Sequence, residues 1–201
     1  MIISTVIMGW IGILIFLIII FTYQKLAKLN EYAFIHLLMA LMYAMWLPLP
    51  FALNTLLQSD SLQVGSIFGF VYLMMIVITM TLQTGHISYI VKHNEDKSIT
   101  EKQGQYMMAT LSNPFELLAN IFRCVWSLFL GIAFWSSGQV LMASLLLLFS
   151  LFVFYFFAIM LDTALVKRVT FFSKVKPNPI LVNLETLLFF IVLVSYVTFH
   201  S

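Results

Sequence analysis

Nearly every basic residue of this chain falls in alternate gaps between its apolar runs. Lys25 and Lys28 follow the first run, Lys92, Lys97 and Lys102 the third, and Lys167, Arg168, Lys174 and Lys176 the fifth, whereas the gaps after the second and fourth runs hold no Lys or Arg. Only Arg123 lies inside a run. Positively charged loops stay on the cytoplasmic side of a membrane, so this pattern predicts an all-α, polytopic bundle of about six transmembrane helices with three cytoplasmic gaps and both termini outside.

Composition closes off the soluble alternatives. Of the 201 residues, 62% are hydrophobic and 9% charged, against roughly one quarter charged in an ordinary soluble domain. Spans predicted at about 2–23, 33–56, 64–91, 114–136, 139–162 and 180–199 occupy nearly the whole sequence as a single transmembrane domain. No room remains between them for an extramembrane catalytic domain. No basic stripe with interleaved aromatics offers a nucleic-acid surface. The lone Cys124 lies within a span and reads as a small apolar residue. The apolar start has no basic segment before it and no small-residue cleavage site after it, so the first run is expected to be a retained helix. Lys outnumbers Arg and Ile and Phe are abundant, which points to the plasma membrane of a bacterium.

Local signals predict how the spans bend and pack. Leu47-Pro48-Leu49-Pro50 removes backbone donors near the outer end of the second span, which either bends the helix or ends it and leaves Phe51 to Leu57 at the interface. The stretch from Lys92 to Asn113 reads as a charged turn followed by a segment lying on the bilayer, and residues 163–179 as an amphipathic strip held by anionic headgroups. Asn113-Pro114 and Asn178-Pro179 both read as helix starts. Gly65 with Gly69, and Ala40 with Ala44, recur at the four-residue spacing that lets helices approach closely, and predict tight packing of the second span on the third. The first span, poor in small residues, is expected at the periphery.

Few polar residues sit at membrane depth, and these are the candidate site. His36, His86, Glu116, Asp162 and Glu185 each lie a turn or two inside the predicted cytoplasmic boundary on five different helices. If they converge, they line a polar pocket open to the cytoplasm. Arg123 lies about 14 Å past Pro114 at 1.5 Å per residue, close to the midplane of a core about 30 Å thick, and needs a partner. Glu116, Asn120 and Arg123 share one helix face, so a Glu116–Arg123 bridge within the helix is the expected arrangement. Pairing with Glu185 or Asp162 on another helix is the alternative. Asn113, Pro114 and Glu116 also match a capping box, which gives Glu116 a structural role. Gln83 and His86 are three apart on the third span and face similar directions, and His36 with His86 could supply axial imidazoles to a haem. Met39, Met42 and Met45 turn about 60° from one to the next and cannot face one Cu(I) ion unaided, so they read as packing residues.

Three functional readings follow. The leading one is a non-enzymatic, permease-like protein in which Arg123 fixes charge and His86, Asp162 and Glu185 handle protons or ligand. The second is an accessory or signalling subunit that contacts a membrane-protein partner, or further copies of itself, within the bilayer. The third is an intramembrane haem or metal redox protein. No cofactor is expected under the first two, and no nucleophile–base constellation marks an enzyme.

Overall fold

The computed structural model describes residues 1–93, 97–167 and 169–201. Residues 94–96, within the stretch expected to hold a charged turn, and the basic residue Arg168 lie outside the described residues. Nine α-helices and no strand occur among those described: α1 (Ile2–Lys28), α2 (Tyr32–Met45), α3 (Leu49–Leu57), α4 (Asp60–His93), α5 (Lys97–Met107), α6 (Asn113–Ser136), α7 (Val140–Ser150), α8 (Phe152–Ala164) and α9 (Pro179–Phe199). Together they make six helical stretches long and apolar enough to cross a membrane, with α2 and α3 forming the second, α5 and α6 the fourth, and α7 and α8 the fifth.

The six stretches pack in chain order and the last returns to the first. α1 lies on α2, α2 and α3 on α4, α4 on α6, and α6 on α7 and α8, while α9 packs against α7, α3 and α1. Aromatic rings fill the middle. Trp46 stacks on Phe190 with ring centroids 3.7 Å apart, Tyr43 meets Trp46, Tyr72 and Phe190 edge-on, and Trp126 meets Phe189 edge-on. These rings bury large apolar areas, and all but the Trp46–Phe190 pair adopt the edge-to-face geometry that aromatic pairs prefer. Lys25 and Lys28 end α1, Lys92 and His93 end α4, and residues 165–178 join α8 to α9, so the basic residues gather at one end of the bundle. Both chain termini lie at the other end.

The two prolines near the end of the second stretch break the helix without ending it. α2 stops at Met45, a turn covers residues 46–48, and α3 restarts with Pro50 in its first turn, where a missing N–H costs nothing. The Pro50 carbonyl accepts a hydrogen bond from Ser66 Oγ of α4 at 3.0 Å. The break also sets the Trp46 side chain inward, where its indole N–H donates to the Gly9 carbonyl of α1 at 3.1 Å. Phe51 to Leu57 is therefore a packed helix with Ala52 and Leu53 fully buried, not a segment spread on an interface. The fifth stretch bends at Leu151 without a proline, where Ser150 Oγ donates back to the Leu147 carbonyl at 2.7 Å and two three-residue turns interrupt the α ladder.

Where a charged turn and then a surface segment were expected between Lys92 and Asn113, the described residues from Lys97 onward are helical. α5 runs through a π-helical turn, Met108–Ser112, directly into α6. Asn113 has helical dihedrals and its N–H donates to the Met108 carbonyl, so it is not an N-cap. Pro114 offers no N–H to the preceding turn, and the widened π turn carries the helix past it. The 34 residues of α4 span about 51 Å at 1.5 Å each, about 20 Å more than a bilayer core. α5 packs against α4. Asn178 does behave as a helix start, its side chain accepting the Leu181 N–H at 3.1 Å.

Small residues do set the closest approaches, with partners other than those expected. A Cβ on Gly65 would come within 2.5 Å of Phe129 Cβ, and one on Gly69 within 2.5 Å of Trp126, so this pair seats α6 on α4 rather than α2 on α4. α2 does pack on α4, with Ala40 buried and Ala44 half-buried. α1 does lie at the edge of the bundle, with Ile7, Leu14 and Phe21 exposed, and its inner face is closely packed. Gly9 receives Val194 of α9 and Gly12 receives the Trp46 indole, while Trp10 Nε1 donates to Thr198 Oγ1 at 3.0 Å.

Candidate functional site

The polar residues singled out by sequence divide into two layers. The deeper layer is an ion pair between Arg123 of α6 and Glu185 of α9, exposed by only 1% and 4%. Arg123 Nη1 also donates to Thr186 Oγ1 at 2.6 Å. The guanidinium carbon lies 5.7 Å from the ring centroids of Tyr72 and Phe156 and 5.9 Å from that of Phe189, so aromatic faces cover the charge. Arg123 thus pairs across helices, and the expected bridge to Glu116 does not form. A parallel course for α6 and α9, each entering from the basic end, brings position 123 level with 185, and one helix alone could not reveal this.

Glu116 is held by α4. Its Oε1 accepts a hydrogen bond from Gln83 Nε2 at 2.7 Å, so the capping role expected of it is replaced by a tie between α4 and α6. Asn120 Nδ2 donates to the Glu116 carbonyl at 2.8 Å.

The outer layer is a cavity of about 670 Å³ at the basic end, between α6, α8 and the start of α9. Glu116, Asn120, Asp162 and Asn183 line it, with Lys176 on the segment that crosses it. Asp162 is half-buried, and its Oδ1 has no hydrogen-bond partner among the described residues. The crossing segment is held by Tyr155 of α8, whose hydroxyl donates to the Lys176 carbonyl at 3.1 Å and accepts the Asn178 N–H at 2.8 Å.

One residue layer separates cavity from ion pair. Asn120 and Val182 line the cavity, and Arg123 and Glu185 follow each by three residues, about 4.5 Å deeper along parallel helices. Phe156 belongs to both layers, lining the cavity while its ring lies against the guanidinium.

The histidines stand apart from this site. His36 Nδ1 donates to the Tyr32 carbonyl of its own helix at 2.7 Å. His86 Nε2 is buried without a hydrogen-bond partner among the described residues. Neither imidazole lines the cavity, and no cluster of three or more potential metal ligands occurs among the described residues. In place of the single pocket that full convergence would have made there are two sites: Glu116, Asn120 and Asp162 at the cavity with Gln83 behind, and Arg123 with Glu185 beneath. Thr186, Tyr155, Phe156 and Asn183 are members that sequence reasoning missed. Thr186 and Asn183 flank Glu185 in the otherwise apolar first half of α9, which was the available signal; Phe156 carried none.

Comparison with known protein families, with characterised proteins and with solved structures finds no match, so the reading of this site rests on its geometry.

Proposed function

We propose that the chain is a permease-like, non-enzymatic protein of a bacterial plasma membrane, with its basic end in the cytoplasm, both termini outside, and the polar cavity as an inward-facing vestibule. Large apolar side chains exposed around the bundle support insertion in lipid, among them Ile7, Leu14 and Phe21 of α1 and Leu141, Leu148 and Phe154 of the fifth stretch. The lysine-rich loops support the orientation.

The observation that carries the reading is the Arg123–Glu185 pair lying one turn below an open, carboxylate-bearing cavity. Separating a buried pair leaves two uncompensated charges in a medium of low polarity. Opening the path therefore requires a species that replaces one partner. A cation drawn into the vestibule by Asp162 and Glu116, or a proton delivered to Glu185, would do so by neutralising the carboxylate that Arg123 holds. Arg123, covered by three rings and bonded to Thr186, keeps its place meanwhile. The test is flux in proteoliposomes, with proton movement and uptake of organic cations followed together. Wild-type protein is expected to move one or both, and folded Glu185→Gln protein neither. Wild-type protein that folds but moves neither would overturn the reading.

The accessory-subunit reading has one observation in its favour, the length of α4, about 51 Å, with α5 packed against it. It predicts a stoichiometric protein partner on purification from the native membrane.

A further inference from the structure

A second cavity lies beside the first. It holds about 440 Å³ between α1, α2 and α9, and apolar residues dominate its walls, including Phe16 and Ile20 of α1, Ile35 and Met39 of α2, and Ile180 and Leu184 of α9. Its origin is in the helix packing. α9 is drawn tight to α1 where Val194 sits against Gly9, and from there toward the basic end it leaves a cleft. Ile20, Ile180 and Leu184 are exposed, so the cleft opens sideways to the surroundings of the bundle.

The two cavities adjoin at the start of α9. Pro179 and Asn183 line both, the polar cavity on one side and the apolar cleft on the other. Each volume falls in the range of roughly 300–1,000 Å³ typical of small-molecule sites. On the polar side the carboxylates of Glu116 and Asp162 outnumber the one cation, Lys176, and Asp162 Oδ1 is buried without a partner among the described residues. The apolar side has room for one alkyl chain along α9.

We propose that the polar cavity and the adjoining cleft form one site for a single-chain cationic amphiphile, an alkylammonium whose headgroup meets Asp162 and whose tail lies between α9 and the α1–α2 pair. The complementarity is of charge on one side of Asn183 and of apolarity on the other. Because the cleft opens sideways, the ligand enters from the inner leaflet rather than from water. This assignment rests on the permease-like reading and names its substrate class.

The test uses the full chain in nanodiscs of zwitterionic lipid and a dodecylammonium probe with a photoreactive diazirine near the tail end. Adducts are expected on residues 180–187 and 16–23, competed by dodecyltrimethylammonium and not by dodecanoate or dodecanol. Asp162→Asn is expected to weaken ammonium competition about tenfold or more, as loss of a charge-assisted contact implies, while adduct positions stay the same. Leu184→Trp is expected to fill the cleft and remove the adducts; should it fail to fold, Ile180→Trp, at a position 80% exposed, carries the same test. Adducts scattered over all outward faces, or dodecanoate competing as well as the ammonium, would overturn the assignment. Specific adducts without flux would refute the transport reading and leave the site standing. Flux of small hydrophilic cations with uncompeted adducts would refute the site and leave transport standing.

Discussion

Removing one partner of the buried ion pair has an effect large enough to measure and specific enough to interpret. Glu185→Met deletes the carboxylate but keeps similar bulk, leaving the Arg123 guanidinium with Thr186 Oγ1 and three aromatic faces. Those contacts exist before and after the change, so they do not offset the loss. Breaking a buried pair from one side costs about 3–5 kcal/mol. For a chain of this size each kcal/mol moves the melting temperature by about 2–4 °C, so the midpoint should fall by about 6–20 °C. Arg123→Met should cost less, because the Glu185 carboxyl left behind can take up a proton and become neutral, whereas a guanidinium cannot lose its charge. The double variant Arg123→Met/Glu185→Met removes both charges and is expected within about 1 kcal/mol of wild type. Thermal unfolding in mild detergent, followed by tryptophan emission from the buried Trp46 and Trp126, reads all four proteins. Two single variants whose costs simply add in the double, or singles that each lose under about 1 kcal/mol, would refute the pairing argument.

Other consequences are as direct. Gly69→Leu drives a side chain into the Trp126 ring and should destabilise by about 1–3 kcal/mol, whereas Gly85→Ala, in open space, should be neutral or slightly stabilising in the same melt. Gln83→Ala removes the donor that Glu116 Oε1 accepts and should cost about 1–3 kcal/mol, with Glu116→Gln milder because an amide oxygen still accepts. Tyr155→Phe deletes both hydrogen bonds that hold residues 176–178 across the cavity, so proteolysis between residues 169 and 178 should quicken while the global melting temperature falls by only a few degrees, about 1–2 kcal/mol.

Six helical stretches were legible because each is a long apolar run bounded by charge or turn residues, and that signal survives any packing. Arg123 was legible as the residue in need of a partner, since an unpaired guanidinium in an apolar helix is prohibitively costly. Its partner was not, because sequence spacing reports neighbours on one helix, Glu116 and Asn120, and is blind to the level at which another helix passes. The Gly65–Gly69 spacing announced a close approach without saying to which helix, and it is α6 that uses it. Asn113-Pro114 shows the same limit from the local side: the motif has the chemistry of a helix start, but residues 97–112 also favour helix, and a π turn lets the two continue as one. Asn178-Pro179 has an extended, helix-breaking segment before it and does start a helix.

An inward-facing vestibule requires that the cavity bounded by Glu116, Asp162 and Asn183 face the cytoplasm. Asn183→Cys in a Cys124→Ala background places one reactive thiol in the cavity wall, since Cys124 is the chain's single cysteine and is buried. A membrane-impermeant maleimide applied to inside-out vesicles and to intact cells then reports the side. Labelling in inside-out vesicles alone is the predicted result. Labelling from the outer face, or from neither, would contradict it.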